Sequence, residues 1–340
     1  MYYDQPYTVT QPVARPVRRI HRSNAFRSSP LRLVLCILCS LCALLVVATL
    51  ITVIAVYATR VRPTTVSSLL NYPNFACQQR PCGCPTYTYG SSSLNGRIVG
   101  GKDALPYSYP WLVALTDRYR TDPFCAGFII SSNTILTAAH CLHERSPNQI
   151  HILSKIHDLR QFKGERHRIE TWYIHPEYQF NGSTYINDIA MIKVQQPFGA
   201  DLQPCCLPPT QSYDYPAAST TAVVSGWGKT VNEPNRGNSD VLQHVVMPVV
   251  DRKNVRCRNS IIDADRQLCA GYDRFSVDTC AGDSGAPLLV VERTGRQDGY
   301  FVVAGIVSYG NRQCDASLSS GVYTRVSFYM PWIRALLSHS

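Results

Sequence analysis

Residues 33–59, LVLCILCSLCALLVVATLITVIAVYAT, contain no charged side chain, and this run constrains the chain more than any other stretch. At about 1.5 Å per helical residue it spans roughly 40 Å, more than a bilayer's hydrocarbon core of about 30 Å. A helix packed on a globular core keeps a polar face, and this segment has none. Arg15, Arg18, Arg19, Arg22, Arg27 and Arg32 precede it, whereas only Arg60 and Arg62 follow closely. The positive-inside rule then places the N-terminus in the cytoplasm and everything after Arg62 outside. A cleaved signal peptide would carry a shorter apolar region nearer the start, followed by a small-residue cleavage site. The expectation is a disordered cytoplasmic tail over 1–32, an uncleaved signal-anchor helix over 33–59, an extracellular stalk over 60–97 and a folded domain over 98–340. That is a single-pass type II protein of the plasma membrane.

Charge follows the same division. The chain carries a net charge of +10, but residues 1–97 hold ten Arg, no Lys and a single acid, Asp4. The remaining 23 basic and 22 acidic residues leave 98–340 close to neutral. Basicity therefore belongs to the membrane-flanking region, and a nucleic-acid partner loses its main argument.

Fourteen cysteines fit an external domain. Cys36, Cys39 and Cys42 lie in the apolar run as filler or, near its cytoplasmic end, as palmitoylation sites. The other cysteines would sit in an oxidising compartment, where pairing is expected. The stalk cluster CQQRPCGC has three thiols and no nearby histidine, which favours disulfides over a metal site.

From Ile98 onward, short apolar runs recur between turn signals: WLVAL, GFII, ILTAA, IAMIKV, TAVVSGW, HVVMPVV, PLLVVE, YFVVAGIVSYG and GVYTRV. Strands at this density indicate an all-β sandwich or a pair of barrels. Only the end, FYMPWIRALL, has helical spacing, with Trp332, Ile333, Leu336 and Leu337 on one face.

Three separated stretches carry the chemistry: LTAAHCL with His140, NDIAMIKV with Asp188, and DTCAGDSGAPL with Ser284. A serine hydroxyl is a weak nucleophile near pH 7 and needs an adjacent base; an imidazole oriented by a buried carboxylate supplies one. Singly, each stretch reads as well as a structural histidine, a turn aspartate or a tight loop. Together, in the order His, Asp, Ser, they resemble the trypsin-like serine proteases of the chymotrypsin fold, over Ile98 to about Leu337.

The resemblance implies two six-stranded antiparallel β-barrels with a C-terminal helix. It implies that His140 is the general base and acid, Asp188 its orienting carboxylate and Ser284 the nucleophile. Backbone N–H groups of Gly282 and Ser284 would form the oxyanion hole. Ser308 matches the serine that helps hold the buried aspartate. Asp278, six residues before Ser284, matches the base of the primary pocket, and Gly310 and Gly321 match its open walls. A carboxylate at the end of an open slot selects Arg or Lys, because leaving it unpaired is costly. Tyr185 and Tyr309 would border the neighbouring subsites.

The resemblance also gives SSSLNGRIVGG a meaning. Cleavage between Arg97 and Ile98 would free an α-ammonium that pairs with Asp283 and sets the oxyanion hole, so the protein would be made as a zymogen. An activating protease, or the protein itself, would make that cut, and the freed domain would then be held on the membrane or shed. The family's disulfides predict Cys125–Cys141, Cys257–Cys269 and Cys280–Cys314, with Cys206 tying the domain to its propeptide. One further family bridge is absent, with apolar Ala222 and Val290 at its positions. Cys77, Cys82, Cys84, Cys205 and Cys206 are an odd set, so one thiol is left for an intermolecular bond or stays free, and the expectation is a disulfide-linked dimer. Ala286, Ala281 and Tyr309 depart from the family's usual residues.

The expected function is a membrane-anchored endopeptidase acting on protein substrates after Arg or Lys. The competing reading is a weak or inactive homologue that serves as a cell-surface binding protein; retention of all three catalytic residues argues against it. A simple esterase or lipase is a third, weaker class. No cofactor and no metal is expected, since Glu165 and Glu170 in a basic loop are thin support for calcium. Asn181, in NGST, is a glycosylation acceptor in an external domain.

Overall fold

A computed structural model describes the backbone of 30–60 together with residues 77, 80–85, 102–161, 163–228, 238–272, 283–295, 298–310 and 320–338. The chain divides into two compact units, Met1–Thr65 and Val66–Ser340. The first contains helix α1, Pro30–Arg60, which encloses the uncharged run. Its described side chains, Val34, Leu35 and 37–52, are all exposed. Among the described residues no helix is long and apolar enough to cross a membrane. The backbone of α1 does run for 31 residues, and its side chains are described only over the part just given.

In the second unit β1 (Lys102–Asp103) leads into β2 (Leu112–Asp117), β3 (Pro123–Ser131), β4 (Thr134–Thr137), β5 (Ile150–Ser154) and β6 (Glu165–Ile174). A hairpin of β7 (Gln179–Phe180) and β8 (Tyr185–Ile186) precedes β9 (Ala190–Val194). Strands β2-β3-β4-β9-β6-β5 close into the first antiparallel barrel. The chain continues through β10 (Thr221–Gly226), β11 (Gln243–Val250), helix α2 (Val255–Ser260), β12 (Gln267–Ala270), β13 (Pro287–Arg293), β14 (Gly299–Tyr309), β15 (Gly321–Arg325) and helix α3 (Met330–Ser338). Here the order is β11-β10-β13-β14-β15-β12, and a β11–β12 pairing closes a second six-stranded barrel, with β1 added beside β11.

The strand patterns follow from which faces are covered. In β2 the first five residues are all buried, and four of them, Leu112 to Leu115, form an unbroken apolar run. Along β6, buried or half-buried positions alternate with exposed Arg166, Arg168 and Glu170, because its outer face meets solvent. Trp111, before β2, and Phe301, in β14, pack edge to face at 5.7 Å and join the two cores. In α3, Ile333 is buried and Trp332, Leu336 and Leu337 pack on the core, the face expected from their spacing. Trp332 lies 5.3 Å from the His175 ring.

The cysteine pattern expected from the family resemblance is met where the chain is described. Ala222 and Val290, at the positions of the missing bridge, are direct cross-strand partners and fully buried. Disulfides Cys125–Cys141 and Cys257–Cys269 are formed as expected, while Cys280 and Cys314 lie outside the described residues.

The stalk cysteines are used differently from a loose tether. Cys82 bonds Cys206, and Cys77 bonds Cys84 to close a small ring. The ring lies on the second barrel: Gly83 donates to Pro204 O at 2.9 Å and accepts from Phe301 N at 2.9 Å. Gly83 has φ +74, and a Cβ there would strike the Phe301 carbonyl, so glycine is required. Arg80 sits 4.4 Å over the Tyr300 ring and reaches Thr294 Oγ1 at 3.0 Å and Asp298 Oδ2 at 3.4 Å. The odd thiol is Cys205, which is 1% exposed. Of the five cysteines in that set, Cys205 is the one left free, and it is buried in the core rather than presented at the surface.

Candidate active site

His140 enters the cleft on a short 3-10 turn, Ala139–Cys141, that follows β4. The turn fixes it at both backbone and side chain, because its N–H donates to Asp188 Oδ1 at 2.9 Å and Nδ1 meets Asp188 Oδ2 at 2.8 Å. A carboxylate partner requires the proton on Nδ1, which leaves Nε2 as the base. Asp188 is 1% exposed, just before β9. The Ser308 hydroxyl donates to Asp188 Oδ2 at 2.5 Å, and Thr324 Oγ1 donates to the Asp188 carbonyl at 2.8 Å. Ser308 can reach because the β14–β15 register shifts between Val307 and Tyr309, a bulge that re-aims the side chain.

Burial opposes protonation of His140, yet the charge of Asp188 and its hydrogen bond together prevail and raise the imidazole pKa above its ordinary value. Tyr185 stacks on the ring, with centroids 4.7 Å apart and planes 12° from parallel.

Ser284 stands on the turn leading into β13. Its carbonyl accepts from Ala126 N at 2.7 Å, and Gly285 N donates to Val307 O at 2.9 Å, so one turn is fastened to both barrels. Gly285 has φ +83, and a Cβ there would collide with the Ala126 carbonyl and Thr137 Oγ1. The Cys141 sulfur, bridged to Cys125, lies 3.7 Å from Ser284 O and 3.9 Å from His140 Nε2. Nucleophile turn and base therefore flank one disulfide. Cys125, His140 and Cys141 cluster like metal ligands, but both sulfurs are consumed in that bridge. Among the described residues the Ser284 hydroxyl makes no hydrogen bond to His140, a contact that commonly tightens only when substrate binds.

The Asp283 carboxylate accepts from Gly228 N at 2.8 Å. It packs so closely on Gly226 and Gly228 that a Cβ at either would overlap it. Ala286, the departure next to the nucleophile, is fully buried and donates to Asp283 O at 2.9 Å. It is absent from the residues with positive φ, so the methyl group is accommodated without left-handed backbone.

Tyr309 borders the cleft across from Tyr185, 6.0 Å away and edge on. Burial raises its phenol to about 12, and the hydroxyl donates to Ser260 O at 3.0 Å. Gly310 is exposed and Gly321 buried. Arg97, Ile98, Asp278, Ala281 and Gly282 lie outside the described residues. Asn181 is exposed at the β7–β8 turn. Glu165 is engaged by the Lys155 ammonium at 2.7 Å, which also holds Asp201 at 2.7 Å, so a cation already occupies that carboxylate. Sequence reasoning missed Thr324 and Gln267, whose roles depend on which loop each strand faces.

The family model described as Trypsin matches residues 98–333. The chain belongs to the trypsin-like serine protease family. Its relatives include serine proteinase stubble of Drosophila melanogaster, 36% identical over 74% of this chain and 32% of that protein. Coagulation factor IX of Oryctolagus cuniculus is 30% identical over 80% of this chain and 96% of that one. Venom serine protease Bi-VSP of Bombus ignitus is 34% identical over 72% and 70%. The match thus spans about a third of stubble but nearly all of factor IX. As a trypsin-family member the chain carries the serine endopeptidase architecture.

Proposed function

We propose that this protein is a membrane-anchored serine endopeptidase, made as a zymogen and cutting after Arg or Lys. The observation that carries the reading is the oriented His140–Asp188–Ser308 chain beside a Ser284 turn fastened to both barrels. Ser284 Oγ attacks the scissile carbonyl while His140 Nε2 takes its proton and Asp188 stabilises the imidazolium. Collapse of the tetrahedral species passes that proton to the leaving amine and forms an acyl-enzyme, which water hydrolyses by the reverse roles. These steps are the ones common to the whole family, carried over to this chain's residues. Gly282 and Ser284 N–H groups would meet the developing oxyanion.

Asp278, which matches the base of the family's primary pocket, is the basis for the Arg/Lys preference. With Asp278→Ser, a peptide library should lose that preference; retention of it would remove the pocket assignment.

Activation is supported by reach. Asp103 pairs with Gln243, and Gln243 pairs with Gly226, against which the Asp283 carboxylate sits. Two strand spacings are about 10 Å, and the five steps from Ile98 to Asp103 extend about 16 Å. A new Ile98 terminus is therefore long enough to meet Asp283.

Anchoring is supported by the uncharged run and the 31-residue helix around it. Within α1 the Thr49 and Thr52 hydroxyls donate back to helix carbonyls, Val46 O at 2.8 Å and Ala48 O at 3.0 Å. Hydrocarbon surroundings demand such internal satisfaction. Glycosylation at Asn181 fits the external topology.

Labelling of Ser284 by a serine-directed phosphonate, after cleavage at Arg97–Ile98, tests the reading against that of an inactive surface binding protein, which would not be labelled.

A further inference from the structure

Gln267 is an amide buried in the wall of the second barrel, 3% exposed on a four-residue strand whose neighbours are apolar. A buried amide is costly unless its hydrogen-bonding capacity is used. Here it is used on both sides. Oε1 accepts from Ile262 N at 2.7 Å and Asp263 N at 3.2 Å, which fastens the loop after α2. Nε2 donates to the Tyr185 carbonyl at 2.9 Å and to the Tyr309 hydroxyl at 3.1 Å. Tyr185 belongs to the β7–β8 hairpin of the first half of the domain, so one side chain crosses from the second barrel to the far wall of the cleft.

The rung on which Gln267 sits makes a second crossing. Gln267 pairs with Thr324 across β12 and β15, and Thr324 Oγ1 donates to the Asp188 carbonyl at 2.8 Å. The segment 185–188 is therefore held at its first residue by Gln267 and at its last by Thr324. That segment carries both the ring stacked on His140 and the carboxylate that orients it. Between them, Asn187 sits at φ +53, and its Oδ1 accepts from Tyr329 OH at 2.8 Å. The backbone of Gln267 is itself fixed, since buried Arg325 donates to its carbonyl at 3.0 Å.

We propose that Gln267 is a positioning residue for the hydrolytic step: with Thr324, it holds the Tyr185–Asp188 segment from the opposite barrel so that the His140 ring is kept in working orientation. The inference rests on the serine-endopeptidase reading. Gln267 touches neither substrate nor reacting atoms and acts through Tyr185.

The test uses the full chain cleaved at Arg97, its active sites titrated with a serine-directed phosphonate. The substrate is an N-blocked arginine anilide, which fills the primary pocket and little else. Gln267→Met keeps length and removes every hydrogen bond. Gln267→Glu keeps the acceptor for Ile262 and Asp263 and replaces the donor. Thr324→Val removes the second tie. We expect kcat per titrated site to fall about three- to tenfold in each, with KM on the anilide unchanged, because the primary pocket is untouched. Unchanged kcat per site in the folded Gln267 variants overturns the proposal, as does a change confined to KM. Failure of both Gln267 variants to melt cooperatively also overturns it, since the residue is then structural. Absence of phosphonate labelling in the parent protein instead removes the endopeptidase reading, so the two failures are distinguishable.

Discussion

At the residue scale, the chemistry turns on how Asp188 is satisfied. Its Oδ2 receives both His140 Nδ1 and the Ser308 hydroxyl. A hydrogen bond to a buried charged group is worth about 1.5–3 kcal/mol, and part of that is needed only as the imidazolium forms. Ser308→Ala should lower kcat about tenfold or more while leaving the fold intact, as read by steady-state kinetics beside a thermal melt. The pH dependence follows from the raised pKa of His140. The base works only when neutral, so activity is lost as pH falls through that value. The acid limb of kcat/KM should therefore have its midpoint above the ordinary imidazole value of 6.5. A midpoint at or below it would show that Asp188 does not dominate the ring's environment. For stability the sign is opposite: the charged-pair contribution is complete below the unfolded-state value and fades as pH rises through the folded one.

At the element scale, the two barrels meet in a few turns that tolerate little change. The Ser284 turn passes between the Ala126 and Val307 backbones and depends on Gly285 at φ +83. Gly285→Ala should cost about 2 kcal/mol or more from backbone strain and contact together. In a domain of this size that lowers Tm by roughly 4–8 °C, and activity per molecule should fall further, because the nucleophile itself is displaced. Elements differed in how plainly the sequence announced them. Strands buried on both faces, such as β2 and β14, are visible as mostly apolar runs. By contrast, β6 was hidden by Arg166, Arg168 and Glu170 on its solvent face, and β12 by its brevity and by Gln267. His140, Asp188 and Ser284 were legible because each stands in a distinctive local stretch. Gln267 and Thr324 were not, since their function depends on facing a segment more than seventy residues away in sequence. Cys206 was expected to tie the domain to its propeptide, but nothing local in CQQRPCGC distinguishes Cys82 as its partner from Cys77 or Cys84.

At the scale of the whole molecule, the proposed activation leaves a domain that is cut yet stays attached. The Cys82–Cys206 bridge spans the Arg97 site in sequence, so the cleaved protein should run as one species on a non-reducing gel and as two after reduction. Cys206→Ser should separate the fragments without reductant under denaturing conditions; two separated fragments from the cleaved parent without reductant would contradict the linkage. If α1 is the anchor, the protein should remain in the membrane pellet after alkaline carbonate extraction, whereas deletion of 33–59 should release it. Anchor, bridge and active site meet in one claim, that catalysis depends on a new terminus at Ile98. The most direct measurement is phosphonate labelling of Ser284 in parallel with N-terminal sequencing, on parent protein and Arg97→Gln after exposure to an activating trypsin-like protease. Labelling is expected only where sequencing reads Ile98-Val99-Gly100-Gly101, and not in Arg97→Gln. Equal labelling of the uncut variant would contradict the claim.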